Sequence, residues 1–414
     1  MSVAIGRRTR TRPRRRWART AVFWVFAFFL LAGNFKDLSF FAGLPDLTMV
    51  LASITLGIVL YNVLKTGSIP MAAVTNGVLF LLIVLPGALQ APATVYASSK
   101  VLYVLTLGTL ALLTPIVVCR GRDDLDELIW VLCGACSLIA LSAVVDPQPT
   151  ATYEGAPIAG VASSTIELGR TAGLVLIVAV IALATRRIGW LTGVLLAALG
   201  GWALLASGSR GPLAAAIAAV LLGLVLAPGS RSKLTVGAAV LVAAGVLWFG
   251  LVNAPEFARE RIATVTEGTS DSSIGARAAL FQAAAHAGVQ DPTGLGWGGF
   301  VTVSPNPAIT YPHDIVLEFF AEAGVLPTIG FLVWVSITWW RARGAARDFP
   351  GLATFVLMTF LLINALVSGD LNDNRAFFAA MGLAIVAAST QPIRRTDGAV
   401  ELAPVPAASA RVRT

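Results

Sequence analysis

Arg210 stands in Ser207-Gly208-Ser209-Arg210-Gly211-Pro212, between two apolar runs that each read as long enough to cross a bilayer. A guanidinium at such a point is costly unless something charged meets it. The glycines let backbone approach a ligand, the serines suit a helix N-cap, and Pro212 suits a first helical turn. A helix N-terminus, bare amides and a guanidinium together make an anion site, and phosphate is the anion they fit best. The other reading is an arginine that only snorkels to lipid head groups. The chain has 2 histidines, His286 and His313, and both fall in one polar stretch further along. His313 stands in Tyr311-Pro312-His313-Asp314-Ile315, ahead of an apolar run whose opening turns carry Glu318 and Glu322. Spaced i, i+4, these carboxylates share one helix face directed toward the histidine. Carboxylates in the outer part of a span are expensive unless they meet water, a cation or a substrate. A histidine beside them can take a proton from a hydroxyl at neutral pH. Taken alone, His313 can equally be a helix cap beside Asp314.

Arg277 and His286 share one short helical pattern, Gly275–Gly288, which reads as a helix able to lie along a membrane surface. Their spacing puts them on opposite sides of it. Arg277 is a second guanidinium for a diphosphate, or else part of a solvated face; His286 reads as a surface residue. Arg170, in Glu167-Leu168-Gly169-Arg170, opens another apolar run and is a third anion candidate. No His/Cys cluster has zinc spacing, no external D-x-D could hold a divalent ion, and no Walker loop is present. The expectation is therefore no metal and no cofactor: phosphates would be neutralised by arginine, on a diphosphate already energised. Cys133 and Cys136 form C-x-x-C inside an apolar helix and read as small packing residues.

These residues need elements to hold them. The chain has 414 residues, is 57% hydrophobic and only 13% charged, and has a mean hydropathy of +0.80. That much apolar surface calls for a bilayer, so the fold class is all-α and polytopic. Apolar runs at about 20–35, 44–64, 70–89, 100–118, 125–145, 166–185, 190–206, 212–227, 233–252, 315–340, 352–367 and 376–390 predict about twelve transmembrane helices. With the N-terminus in the cytoplasm, only Lys36, Lys100, Arg170, Arg210, Arg259, Arg261, Arg277 and Arg375 of the 30 basic residues fall outside. The positive-inside bias thus predicts cytoplasmic termini and an extracytoplasmic Arg210 in the plasma membrane. The charge of +8 follows from this topology and gives no sign of nucleic-acid binding. The expected organisation is a basic cytoplasmic tail (1–19), nine helices (20–252), one long extracytoplasmic loop (253–314), three helices (315–390) and a cytoplasmic tail (391–414). The arginine-dense tail reads as an orientation signal that touches membrane lipids, not as a cleaved signal peptide. Long structured loops in compact proteins are usually functional.

The ordered set SGSRGP opening a span, GARAALFQAA in the long loop, GLGWGGF after it and PHDIVLEFFAEAG leading into the next span resembles the O-antigen ligase and O-antigen polymerase superfamily. The match covers about 160–335. The resemblance implies a GT-C-like helical fold and a metal-independent, inverting glycosyltransferase. It implies that Arg210 and Arg277 grip the pyrophosphate of an undecaprenyl-diphosphate-linked glycan donor, and that His313 activates or positions the hydroxyl of a glycan acceptor. Ser209, Arg170, Glu318 and Glu322 are the expected substrate-binding residues around them. The family often follows its histidine with Asn, whereas Asp314 stands here. The rival class is a multi-span transporter or flippase of lipid-linked sugars. It predicts ionisable residues at the midplane and paired halves, whereas here they gather at the outer edge.

Overall fold

The structure is a computed structural model, and it describes residues 13–35, 46–148, 158–162, 164–227 and 272–390. Every element among these residues is helical. In order they are α1 (Pro13–Leu31, continued by a 3-10 turn, Ala32–Phe35), α2 (Leu47–Thr66), α3 (Met71–Leu89), α4 (Val95–Tyr103), α5 (Thr109–Val118), α6 (Arg122–Val145) and α7 (Thr165–Ala184). There follow α8 (Trp190–Ala206), α9 (Arg210–Leu226), α10 (Ser272–Gln290), α11 (Ile315–Glu318), α12 (Val325–Ala345), α13 (Phe349–Ala365) and α14 (Arg375–Ser389). A π-turn, Val104–Gly108, joins α4 to α5, and a second, Phe319–Ala323, follows α11.

Among the described residues, seven helical stretches are long and apolar enough to cross a membrane: Trp17–Phe35, Leu47–Thr66, Met71–Leu89, Val95–Val118, Arg122–Val145, Thr165–Ala184 and Val325–Ala345. The shorter apolar helices α8, α9, α13 and α14 join them. The protein is an all-helical, multi-pass membrane protein. The expected span at 233–252, the tails 1–12 and 391–414, and the first part of the long loop lie outside the described residues, so twelve spans remain the expectation from sequence.

One expected span is corrected. The run 315–340 is not a single helix, because Gly324 (φ 93°) separates the π-turn from α12, which continues to Ala345. The break turns Glu318 and Glu322 away from α12 and into the protein.

Helix α13 is sheathed on all sides, with Phe355, Val356, Met358 and Phe360 essentially inaccessible. Helices α2, α3 and α12 instead present Leu64, Leu82 and Ile337 outward, as a lipid-facing surface requires. Small residues set the closest approaches. A Cβ on Gly200 of α8 would stand 2.8 Å from the Ala172 carbonyl oxygen of α7, so only glycine lets those helices touch. At the end carrying the basic segments, Arg19 pairs with Asp124 and Glu127, Arg122 with Asp348, and Arg187 with Asp126. These pairs tie α1, α6, α13 and the turn after α7 together. The opposite end holds the candidate site.

Candidate functional site

The site is assembled around residues 291–314, which fold back onto α3 and the second π-turn. Trp297 is fully buried, and its indole N–H donates to the Val84 carbonyl at 2.7 Å. The Trp297 amide donates to Gly87 O, and Gly296 N to Glu322 O. The glycines of GLGWGGF make this possible. Gly296 (φ 77°) passes so close that a Cβ would lie 2.1 Å from Gln90 O, and Gly298 (φ 84°) would meet Ala97 at 2.8 Å. The motif is thus a backbone plug, legible in sequence only as turn-forming.

Glu322 anchors the plug. Its carboxylate accepts from the amides of Gly298 at 2.9 Å and Phe300 at 3.1 Å. It also accepts from Lys100 Nζ at 2.6 Å, while Glu318 Oε1 lies 2.5 Å from the same ammonium. All three side chains are buried. Glu318 and Glu322 do share a face, but what they meet there is Lys100 of α4, a residue the sequence offered only as one more external cation.

Two residues before α11, the backbone does something unusual. His313 adopts φ 61°, the left-handed region that a side chain rarely tolerates. Such a residue costs ~1–3 kcal/mol and persists where the surroundings over-determine it, characteristically at functional sites. Capping belongs to its neighbour: Asp314 accepts from the amides of Val316 and Leu317 at 2.8 and 2.9 Å. That leaves the imidazole free of the capping role. His313 is half-buried, its Nδ1 has no hydrogen-bond partner, and Tyr311 meets it edge-on at 4.5 Å. Burial, and next the positive charge of Arg277, hold the imidazole below its ordinary value, so it is neutral at pH 7.

Arg277 therefore lies within electrostatic reach of His313. It is carried on α10, whose Leu280, Ala284 and Ala287 pack on Phe300 and Ala321. That packing docks α10 on the protein, a firmer placement than the surface-lying helix expected. His286 is exposed on another face. Arg210 opens α9, and Ser209 occupies its N-cap without a side-chain cap hydrogen bond, contrary to the expected capping. Beside them, a Cβ on Gly211 would lie 3.0 Å from Val367, so α9 begins against the turn between α13 and α14.

That turn was missed from sequence. Ser368-Gly369-Asp370-Leu371-Asn372-Asp373-Asn374-Arg375 interrupts two apolar runs just as SGSRGP does, and the same logic would have found it. Arg170 reaches it: Nη2 donates to Ser368 O at 2.8 Å, and Nη1 to Glu167 Oε1 at 2.6 Å. Burial, then Asp373, pushes the Asp370 carboxyl up to about 6. Burial, then Asp373 and Asp370, keeps the Tyr311 hydroxyl protonated well above its ordinary range. The turn thus borders both Arg170 and the His313 neighbourhood.

Residues 195–335 match the family model described as O-antigen ligase. The match spans about a third of the chain. No curated protein matches the chain. The O-antigen ligase segment contains Arg210, Arg277, His313, Glu318 and Glu322; Lys100, Arg170, Asp370 and Arg375 lie outside it. The O-antigen ligase family is a glycosyltransferase-like enzyme family that implies lipid-linked glycan substrates. Among the described residues, no three His, Cys, Asp or Glu side chains group as a metal site.

Proposed function

We propose that the protein transfers a glycan from an undecaprenyl-diphosphate carrier to an acceptor hydroxyl at the outer face of the membrane, by an inverting reaction that needs no metal. The observation that carries this reading is His313: a neutral imidazole held in a strained backbone, beside a guanidinium, in an O-antigen ligase segment. Arg210 and Arg277 grip the diphosphate, with the α9 N-terminus behind Ser209 contributing its dipole. As the bond between the sugar's anomeric carbon and the diphosphate oxygen breaks, its electron pair passes to the diphosphate. The arginines stabilise the charge that builds there. The acceptor oxygen attacks the opposite face of the sugar, and its proton passes to His313. General-base assistance supplies roughly 10²–10⁴-fold. Asp370, Tyr311 and Arg170 border the space in which the sugars meet.

The test is Arg210→Ala and His313→Ala in a strain that displays the glycan. Loss of the polymer with wild-type amounts of each variant is the expected result. Normal polymer with both variants ends the assignment. A purified protein that joins glycan units in detergent, with no gradient, separates transfer from transport.

A further inference from the structure

A small cavity between the ends of α1, α7 and α14 shares Arg170 with the transfer site and is otherwise lined by residues the step above does not use. Its volume is about 90 Å³, and its polar wall is Asn34, Glu167, Arg170, Thr171, Asp373 and Arg375, over a floor that includes Leu174 and Phe377. Asn34 and Arg170 are only 3% and 7% exposed. Even so, Asn34 Oδ1, Arg170 Nε and Arg375 Nη1 are buried with no hydrogen-bond partner. Three unmet polar atoms on one wall are not how a membrane protein's interior is ordinarily closed. Glu322 shows the contrast, since its carboxylate meets an ammonium and two amides.

The charges decide what fits. Two guanidiniums face two carboxylates, so the wall is balanced: a phosphate would meet Glu167 and Asp373, and a cation would meet the arginines. A partner must accept from Arg170 and Arg375, donate to Asn34, and donate to the carboxylates. Neighbouring hydroxyls do all of this at once, since each is both donor and acceptor. The wall is also continuous with the transfer site, because Arg170 holds Ser368 and Asp373 bears on Tyr311.

We propose that this cavity is a sugar subsite, in which Asn34, Glu167, Arg170, Asp373 and Arg375 hold the hydroxyl edge of one residue of the glycan. The proposal rests on the glycosyl-transfer reading and names where a sugar sits. The ring belongs either to the donor's glycan or to the acceptor's.

The experiment uses the full chain in nanodiscs, with oligosaccharide released from the host's own surface polysaccharide as probe. Saturation-transfer NMR reads its binding to wild type, Asn34→Ala, His313→Ala and Asp373→Asn, the last an exposed side chain whose exchange changes charge and not size. Binding that weakens about tenfold in Asn34→Ala and Asp373→Asn (~1.4 kcal/mol) and persists in His313→Ala supports the subsite. If Asn34→Ala fails to fold, Asp373→Asn decides alone. A raised KM for acceptor with kcat preserved identifies the acceptor's ring; a raised KM for the lipid-linked donor identifies the donor's. No saturation transfer to the probe in wild type, or unchanged binding in Asp373→Asn, overturns the proposal. Binding and glycan display are separate readouts, so a normal polymer from Arg210→Ala and His313→Ala would remove the transfer reading while the binding result stands.

Discussion

The Lys100 cluster and the His313 neighbourhood are built from the same kinds of residue at the same end of the molecule, and they have opposite character. Around Lys100, the ammonium meets both Glu318 and Glu322 and two backbone amides meet Glu322, all with no solvent access, while Glu318 Oε2 keeps no partner. Around His313, the backbone is strained and Nδ1 has no partner, and the nearby cavity leaves three more polar atoms unmet. Glu322, with both oxygens answered, clamps the GLGWGGF plug onto α4, a role in folding. Unmet buried groups call for an explanation, and beside His313 the proposed one is a ligand. The difference warns against reading every buried external charge as a substrate contact.

The contrast can be broken in graded steps. His313→Gly has the largest expected effect: transfer falls roughly 10²–10⁴-fold. Stability should hold or rise by about 1 kcal/mol, because glycine accepts the left-handed backbone. Glycan output and thermal melting of the same variant check both halves, and a destabilised variant would remove the strain argument. Lys100→Met should do the reverse, costing on the order of 3–5 kcal/mol by stranding two carboxylates, read as loss of folded protein in detergent. Gly296→Ala should cost on the order of 3 kcal/mol, since both φ and the Gln90 carbonyl oppose a Cβ. Trp297→Phe should cost about 1–2 kcal/mol through the lost indole hydrogen bond to Val84 O.

The pH response is the mildest. With the folded imidazole below its ordinary value of about 6.5, transfer should be level near neutrality and decline only as the pH drops through that lowered value. Stability shifts in the same direction. Below about 6.5 the unfolded chain takes up the proton that folded His313 refuses, so the contribution of His313 is complete above that pH and is lost as pH falls toward the folded value. Melting and rate profiles of wild type against His313→Gly isolate this component, and a wild-type profile that His313→Gly leaves unchanged would assign the titration elsewhere.

Much of the candidate site was legible because charge is rare in this chain. Arg170, Arg210, Arg277, His313, Glu318 and Glu322 were all singled out by asking which ionisable residues interrupt apolar runs, and for the two glutamates the structure places Lys100 where a substrate was expected. Asp370, Asp373 and Arg375 obey the same rule and were passed over, since no known motif drew attention to them. Lys100 was out of reach: it lies 222 positions from Glu322, and no local pattern announces that pair. Asn34 was out of reach too, being an uncharged residue at a helix end whose meaning lies in the cavity it lines.

The order of apolar runs and the few charges placed at their ends determined, without any coordinates, that this is a helical membrane protein. Those properties are local and one-dimensional, because burial in lipid is decided segment by segment. Only the folded chain decided which charges cancel and which stand open. That division rests on distances of a few ångströms between helices far apart in sequence, as where a single ammonium stands between two glutamates.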